Sequence, residues 1–197
     1  MSDMTELHHS NGTARGRLAK RIGGAGLALV AVAGLGLAGA GAAQAAGSRA
    51  ATPTCTASGL TASFGQKLGG GMNHAGVVLK LKNTSGHTCL LRGYPGLGLE
   101  GSGHRALGSS VHWGDTWYAK DPGKKTLTLK KGASAEAVVS WTHANEGTSG
   151  ARHASYLQVT PPASRSHKTL KFPAWVDNGR LSVTALAPHI AVTDQAA

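Results

Sequence analysis

The stretch "GVVLKLKN", residues 76 to 83, sets Val77, Leu79 and Leu81 against Val78, Lys80 and Lys82. Successive side chains of a β-strand point to opposite faces, so this alternation puts one face in a core and turns the lysines to water. The device recurs along the chain. "KTLTLKKG" turns Leu127 and Leu129 inward and Thr126, Thr128 and Lys130 outward, and "AVVSWTH" offers Val139 and Trp141 on one face. "YLQVTPP" gives Leu157 and Val159, "TLKF" gives Leu170 and Phe172, and "RLSVTAL" gives Leu181, Val183 and Ala185. Between these runs lie Asn83 to Gly86, Tyr94-Pro95-Gly96, Asp121-Pro122-Gly123, Lys131-Gly132, Pro161-Pro162 and Asp177-Asn178-Gly179, all turn chemistry. After residue 45 no stretch keeps a helical period for three turns. Strands with one polar face must cover the apolar one with a second sheet. The expected class is therefore all-β, an immunoglobulin-like antiparallel β-sandwich, with a closed barrel as the alternative topology. Residues 101–125, the least regular region, are expected to hold the long surface loops.

The N-terminus carries an address. Arg15, Arg17, Lys20 and Arg21 precede an uncharged run of mostly Gly, Ala, Leu and Val from Ile22 to Ala43, which ends in Ala43-Gln44-Ala45-Ala46. This three-part layout predicts a secretory signal peptide over residues 1–45. The run is also long enough to span a bilayer as an uncleaved anchor, but its dilution by glycine and alanine favours cleavage. Cys55 does not sit at the end of the apolar run, so no lipid-attachment site is expected, and "APHIAVTDQAA" has neither a membrane stop nor a wall-sorting signal. The expected location is secreted, extracellular or cell-wall associated, with no integral membrane segment after processing. The predicted plan is a flexible lead over 46–54, a β-sandwich domain over 55–187 and a C-terminal tail over 188–197. Asn83-Thr84-Ser85 matches a glycosylation sequon, which the bacterial look of the leader discounts.

Removing residues 1–45 leaves 152 of the 197 residues, one ordinary domain. Four of the 20 basic and two of the 9 acidic residues go with it, so the net charge moves from +11 to +9. Such a balance favours anionic partners, or serves only to keep the protein in solution. Export argues against nucleic acid and leaves anionic cell-wall polymers or lipid headgroups. In an oxidising compartment two cysteines most simply form one disulfide, here Cys55 to Cys89. Metal binding competes with that reading, although neither cysteine belongs to a C-x-x-C or C-x-H pair.

Catalytic signatures are missing from the sequence: there is no G-x-S-x-G, no H-E-x-x-H and no phosphate-cradling glycine loop before a helix. No catalytic residue, metal ligand or cofactor is assigned, and the chain is not expected to be an enzyme. Met72-Asn73-His74 hints at a soft copper site, against which scattered surface histidines are the simpler account. The cluster singled out is "HWGDTWY", with Trp113, Trp117 and Tyr118 in a chain of only 5% aromatic residues. On a loop these three could form a stacking platform for sugar rings or a partner protein. The alternative is that they cap one end of the core, with Asp115 orienting a turn.

An exported N-terminus, Cys55 at the mouth of the domain, "LKNTSGHTCLLRGYPGLGL", a "LKKG" turn before "AEAVVSW", then "LQVTPP" and "GRLSVTAL" together resemble the secreted actinobacterial domain of unknown function 4232. The most specific residues are Asn83, Ser85, Cys89, Leu91, Gly93, Tyr94 and Pro95, and the similarity covers residues 55 to 187. The resemblance implies a β-sandwich, extracytoplasmic placement and a Cys55–Cys89 bond, and no biochemical activity. Family members often carry further cysteines toward the C-terminal half. "ARHASYLQV" and "VDNGRLSV" have none, which makes the first bond more consequential.

Two functional expectations follow. The first is a secreted, non-catalytic β-sandwich associating with the anionic cell envelope through residues such as Lys80, Lys82, Lys124, Lys125, Lys130 and Lys131. The second is an extracellular interaction module that recognises a protein or glycan through the 112–118 loop.

Overall fold

A computed structural model describes residues 51–193. The predicted signal peptide, residues 1–45, lies outside the described residues. Eleven strands follow in order: β1 (Leu60–Gly70), β2 (His74–Asn83), β3 (Cys89–Arg92), β4 (Gly96–Glu100), β5 (Ala106–Leu107), β6 (Ser110–Trp113), β7 (Thr126–Leu129), β8 (Ser134–Thr142), β9 (Ala151–Thr160), β10 (Lys168–Asp177) and β11 (Arg180–Val183). The only helical turn among the described residues is a 3-10 turn at Ser102–His104.

The strands form a five-stranded sheet in the order β1-β2-β8-β11-β6, a four-stranded sheet in the order β10-β9-β4-β5, and a ribbon of β3 and β7. Their inner faces meet in one core, so the fold is the immunoglobulin-like β-sandwich expected. The first sheet contributes Leu79, Leu81, Ala137, Val139, Leu181 and Val183, the second Leu99, Leu157, Val159 and Val176, and the ribbon Leu91, Leu127 and Leu129. Each fully buried Leu or Val is worth roughly 1.5–3 kcal/mol of transfer free energy. Among the named strands pairing is antiparallel except between β11 and β6, which run parallel from Arg180↔Ser110 to Val183↔Trp113, and a single parallel bridge joins Thr54 to Leu90.

A second, smaller core covers the outer face of β2 and β8. Val78 and Val138, which the alternation assigns to the solvent side, pack there with Leu68, Tyr118, Ala119, Ala187 and Ile190. The cover comes from the chain after β11: the Glu136 N–H donates to the Ala187 carbonyl at 2.7 Å and the Thr193 N–H to the Tyr118 carbonyl at 2.8 Å. The expected tail thus packs on the sheet as far as Thr193. The described part of the expected lead, from residue 51, is also engaged, because the Leu90 N–H donates to the Pro53 carbonyl and, just after it, the Cys55 N–H to the Leu90 carbonyl, both at 2.8 Å.

Cys55 and Cys89 are joined by a disulfide, with 4.9 Å between their Cα atoms. Both are buried, at 3% and 2% exposure. The bond pins the entry of the domain to β3, close to where Asn83 organises the turn between β2 and β3. Asn83 is fully buried, and its Nδ2 donates to the carbonyls of His87 and Leu129, each at 2.9 Å. Its Oδ1 accepts from the Ser85 N–H at 2.9 Å and the Ser85 hydroxyl at 2.7 Å. The sequon asparagine is therefore a structural joint with all its amide hydrogens in use.

Candidate functional site

Of the aromatic residues marked by the sequence, Trp113 ends β6 while Trp117 and Tyr118 lie in the loop between β6 and β7, and the structure sends them in different directions. Gly114 takes a φ of 146°, and its N–H donates to the Val183 carbonyl at 3.1 Å, which ties the loop to the end of β11. Asp115 then shapes the turn: Oδ1 accepts the Asp121 N–H and Oδ2 accepts from Lys120, both at 2.8 Å. The Lys120 ammonium, followed by the Asp121 N–H, holds the Asp115 carboxyl below its usual range.

Trp113 and Trp117 reach the surface, 53% and 37% exposed. Tyr118 does not. It is 1% exposed in the second core, where its hydroxyl donates to the His74 carbonyl at 2.7 Å and burial pushes its phenol pKa up. The ring lies against bare backbone, since a Cβ at Gly76 would come within 2.7 Å of it. Tyr118 is therefore an anchor beneath the loop, and its expected place in an exposed platform is corrected. Its ring is large enough to seal the face that the C-terminal segment leaves open, which water contact would waste.

Each exposed tryptophan is backed by a ring from elsewhere in the chain. Trp113 stacks on Tyr94 with centroids 5.5 Å apart and planes within 4°, and Trp117 stacks on His74 at 3.7 Å and 16°. Tyr94 takes the place that the sequence reading gave to Tyr118. It was hidden there because Tyr94-Pro95-Gly96 reads as turn chemistry. Its hydroxyl is fixed by Asp121 at 2.6 Å, and this hydrogen bond, followed by burial, raises its pKa. The Lys124 ammonium stands 5.5 Å from the Tyr94 ring centroid, a cation–π distance. Tyr94, Trp113 and Lys124 thus form one ledge.

The other lysines named from the sequence are distributed. Lys80 is paired with Glu136 at 3.0 Å, on the outer face of the first sheet. The bulge in β1 at Gly65 makes room for it, because a Cβ there would fall 2.6 Å from the Lys80 Cε. Lys82, Lys130 and Lys131 gather at the other end of β7 from Lys124 and Lys125, where the Gly132 N–H donates to the Asn83 carbonyl at 2.8 Å.

Two polar networks were not anticipated. Glu100, 5% exposed, accepts from His104 Nδ1 at 2.7 Å and from Gln158 Nε2, and His104 stacks on Tyr156 with centroids 4.1 Å apart. His104, then Gln158, keeps the Glu100 carboxyl below its usual range. Glu136 binds Lys80, His189 Nδ1 at 2.9 Å and the Ile190 N–H at 3.3 Å. Burial pushes its carboxyl up, and Lys80, the Ile190 N–H and His189 together bring it below the ordinary value. Glu136 joins Lys80 to His189 and Ile190, and Glu100 joins its near neighbour His104 to the distant Gln158, so no local motif announces either network. Among the described residues no three His, Cys, Asp or Glu side chains are placed to hold a metal ion. No described helix is long and apolar enough to cross a membrane.

These features define a disulfide-stapled antiparallel β-sandwich with a surface ledge of stacked rings. The chain belongs to the family described as a domain of unknown function, DUF4232, whose model matches residues 55–187. No curated protein and no solved structure matches it.

Proposed function

We propose that the domain is a non-catalytic binding module that works outside the cytoplasm and holds an anionic glycopolymer of the cell envelope on the Tyr94–Trp113 ledge. The observation that carries this reading is Trp113, 53% exposed yet held flat on Tyr94, with Lys124 beside the same stack. A flat, rigid aromatic face is what a sugar ring stacks on, and an adjacent ammonium supplies the counter-charge for a phosphate or carboxylate on the polymer. The disulfide supports an oxidising compartment. A non-catalytic role is supported by the work its carboxylates already do: Glu100, Asp115, Asp121 and Glu136 each hold strands or loops together.

The test is co-sedimentation of the purified protein with isolated cell-wall sacculi, with and without wall teichoic acids, across a salt series. Retention that needs the polymer, weakens with salt and falls at least tenfold in W113A and K124E/K125E is expected. Salt screens exposed ionic contacts over a Debye length of about 8 Å at physiological strength. Retention indifferent to those changes, or no retention, overturns the reading.

A second reading, recognition of an extracellular protein, is favoured by Met72 and Trp117, which are 79% and 37% exposed. Exposed Trp and Met are enriched at protein interfaces. It predicts capture by a folded partner that W117A abolishes and W113A spares.

A further inference from the structure

The two sheets part at one edge. β1 and β10 are the outermost strands of their sheets, and each breaks register, between Phe64 and Lys67 in β1 and between Lys171 and Ala174 in β10. A β-bulge bends its strand and interrupts pairing, and bulges favour sheet edges and sites of function. Phe64 and Phe172 face each other across this edge with ring centroids 6.0 Å apart, and Trp141 meets Phe172 edge-on at 4.7 Å. Between the strands lies a cleft of about 390 Å³, whose apolar walls include Phe64, Leu68, Val77, Trp141 and Phe172. That is within the size range of small-molecule sites.

Three polar features single the cleft out. The Trp141 Nε1–H is buried and has no acceptor among the described residues. Buried indole N–H groups in folded proteins are nearly always satisfied, so an orphan beside a cleft marks a place for an acceptor. Lys67 and Lys171 line the same cleft and are exposed, so their ammonium groups can stand at its mouth. No Asp or Glu lines it. The walls reward a hydrocarbon, and the polar side-chain groups, Trp141 Nε1 and the Lys67 and Lys171 ammoniums, are all donors.

We propose that this cleft binds a linear fatty carboxylate, its chain between Phe64, Leu68 and Phe172 and its head accepting from Trp141 Nε1 and the two lysines. One carboxylate supplies both the acceptor that Trp141 lacks and the counter-charge for Lys67 and Lys171. A neutral amphiphile supplies only the first, and a cationic one neither. The site is separate from the Tyr94–Trp113 ledge and does not depend on the function proposed for it.

The experiment titrates decanoate, decanol and decyltrimethylammonium, each below its micelle concentration, into the ¹⁵N-labelled disulfide-bonded protein and follows the four indole N–H resonances. Decanoate is expected to saturate with a downfield shift of the Trp141 resonance while those of Trp113 and Trp117 stay in place. It should bind at least tenfold more tightly than decanol, and decyltrimethylammonium should bind more weakly still. K67E/K171E, which alters only exposed positions, should lose at least tenfold in decanoate affinity. W141F should weaken decanoate more than decanol while keeping the circular dichroism of the parent. An unmoved Trp141 resonance, equal affinity for decanoate and decanol, or unchanged affinity in K67E/K171E overturns the proposal.

Discussion

The Tyr94 hydroxyl donates to Asp121 Oδ2 at 2.6 Å, while Asp121 Oδ1 receives the Ala185 N–H at 2.7 Å. One carboxylate therefore locks the ring beneath Trp113 to the chain leaving β11. Removing both bonds in D121A is expected to cost about 2 kcal/mol, each bond to a charged group being worth roughly 1.5–3 kcal/mol before relaxation and solvent access reduce it. For a domain of this size that is a fall in Tm of roughly 5 °C. Y94F keeps the stack and loses only the hydroxyl, so it should lower Tm less and leave polymer binding nearly intact. Calorimetry and sedimentation on the two variants check both statements.

Asn83 should be among the most sensitive polar positions. N83A removes the donor to the carbonyls of His87 and Leu129 and the acceptor for Ser85, all in a buried joint. A cost of about 3 kcal/mol is expected from unsatisfied buried groups. N83D is expected to be at least as damaging, because it sets a carboxylate oxygen against two carbonyls. Urea midpoints with an unchanged m-value would register the loss as one of stability alone.

Beside the exposed Asp115, whose carboxyl is also held low but whose solvent-screened pair with Lys120 adds little, the acid limb of stability should belong to Glu100 and Glu136. Both carboxyls are held below the ordinary value of 4.5 in the folded protein. A depressed folded pKa contributes stability that is present above the unfolded value and is lost as pH falls through the folded one. Stability against urea should therefore be level above about pH 5 and decline below pH 4.5. E100Q and E136Q should each flatten that decline and lower the plateau. A decline unchanged in both variants would assign it to other groups.

The disulfide should be inert until the protein unfolds. Its sulfurs lie at residues with 3% and 2% exposure, so dithiothreitol without denaturant is expected to leave it intact. Once reduced, or in C55S/C89S, the protein should lose about 4 kcal/mol, the loop-closure entropy of a bridge separated by 34 residues. Thiol titration against urea concentration reports both effects.

Alternation placed Val77, Leu79, Leu81, Leu127, Leu129, Leu157 and Val159 in the core, where all seven are buried. It failed where a strand departs from period two. β1 escaped because its bulge at Gly65-Gln66 breaks the pattern, and β4 because Gly96 and Gly98 have no side chains to display one. Val78 was given to water because the cover on that face arrives from residues 187–193, more than a hundred positions later in the chain. The same cover drew Tyr118 inward and left the exposed stack to Tyr94. Loop residues selected for ring chemistry could not be assigned to a face, because which side is open is decided by tertiary packing.

The place of β11 has a kinetic consequence. It lies between β8 and β6, so β6, some 70 residues earlier, has no partner in the first sheet until Arg180–Val183 arrives. Chain closures over such separations must be made before they are rewarded, which slows folding. A polypeptide emerging amino end first would hold an incomplete sheet, with its edge and outer apolar face open, until β11 and residues 187–193 appear. The domain should consequently commit late and all at once, and a premature stop even a dozen residues short of Val183 would leave a chain fit for proteolysis rather than a shortened domain.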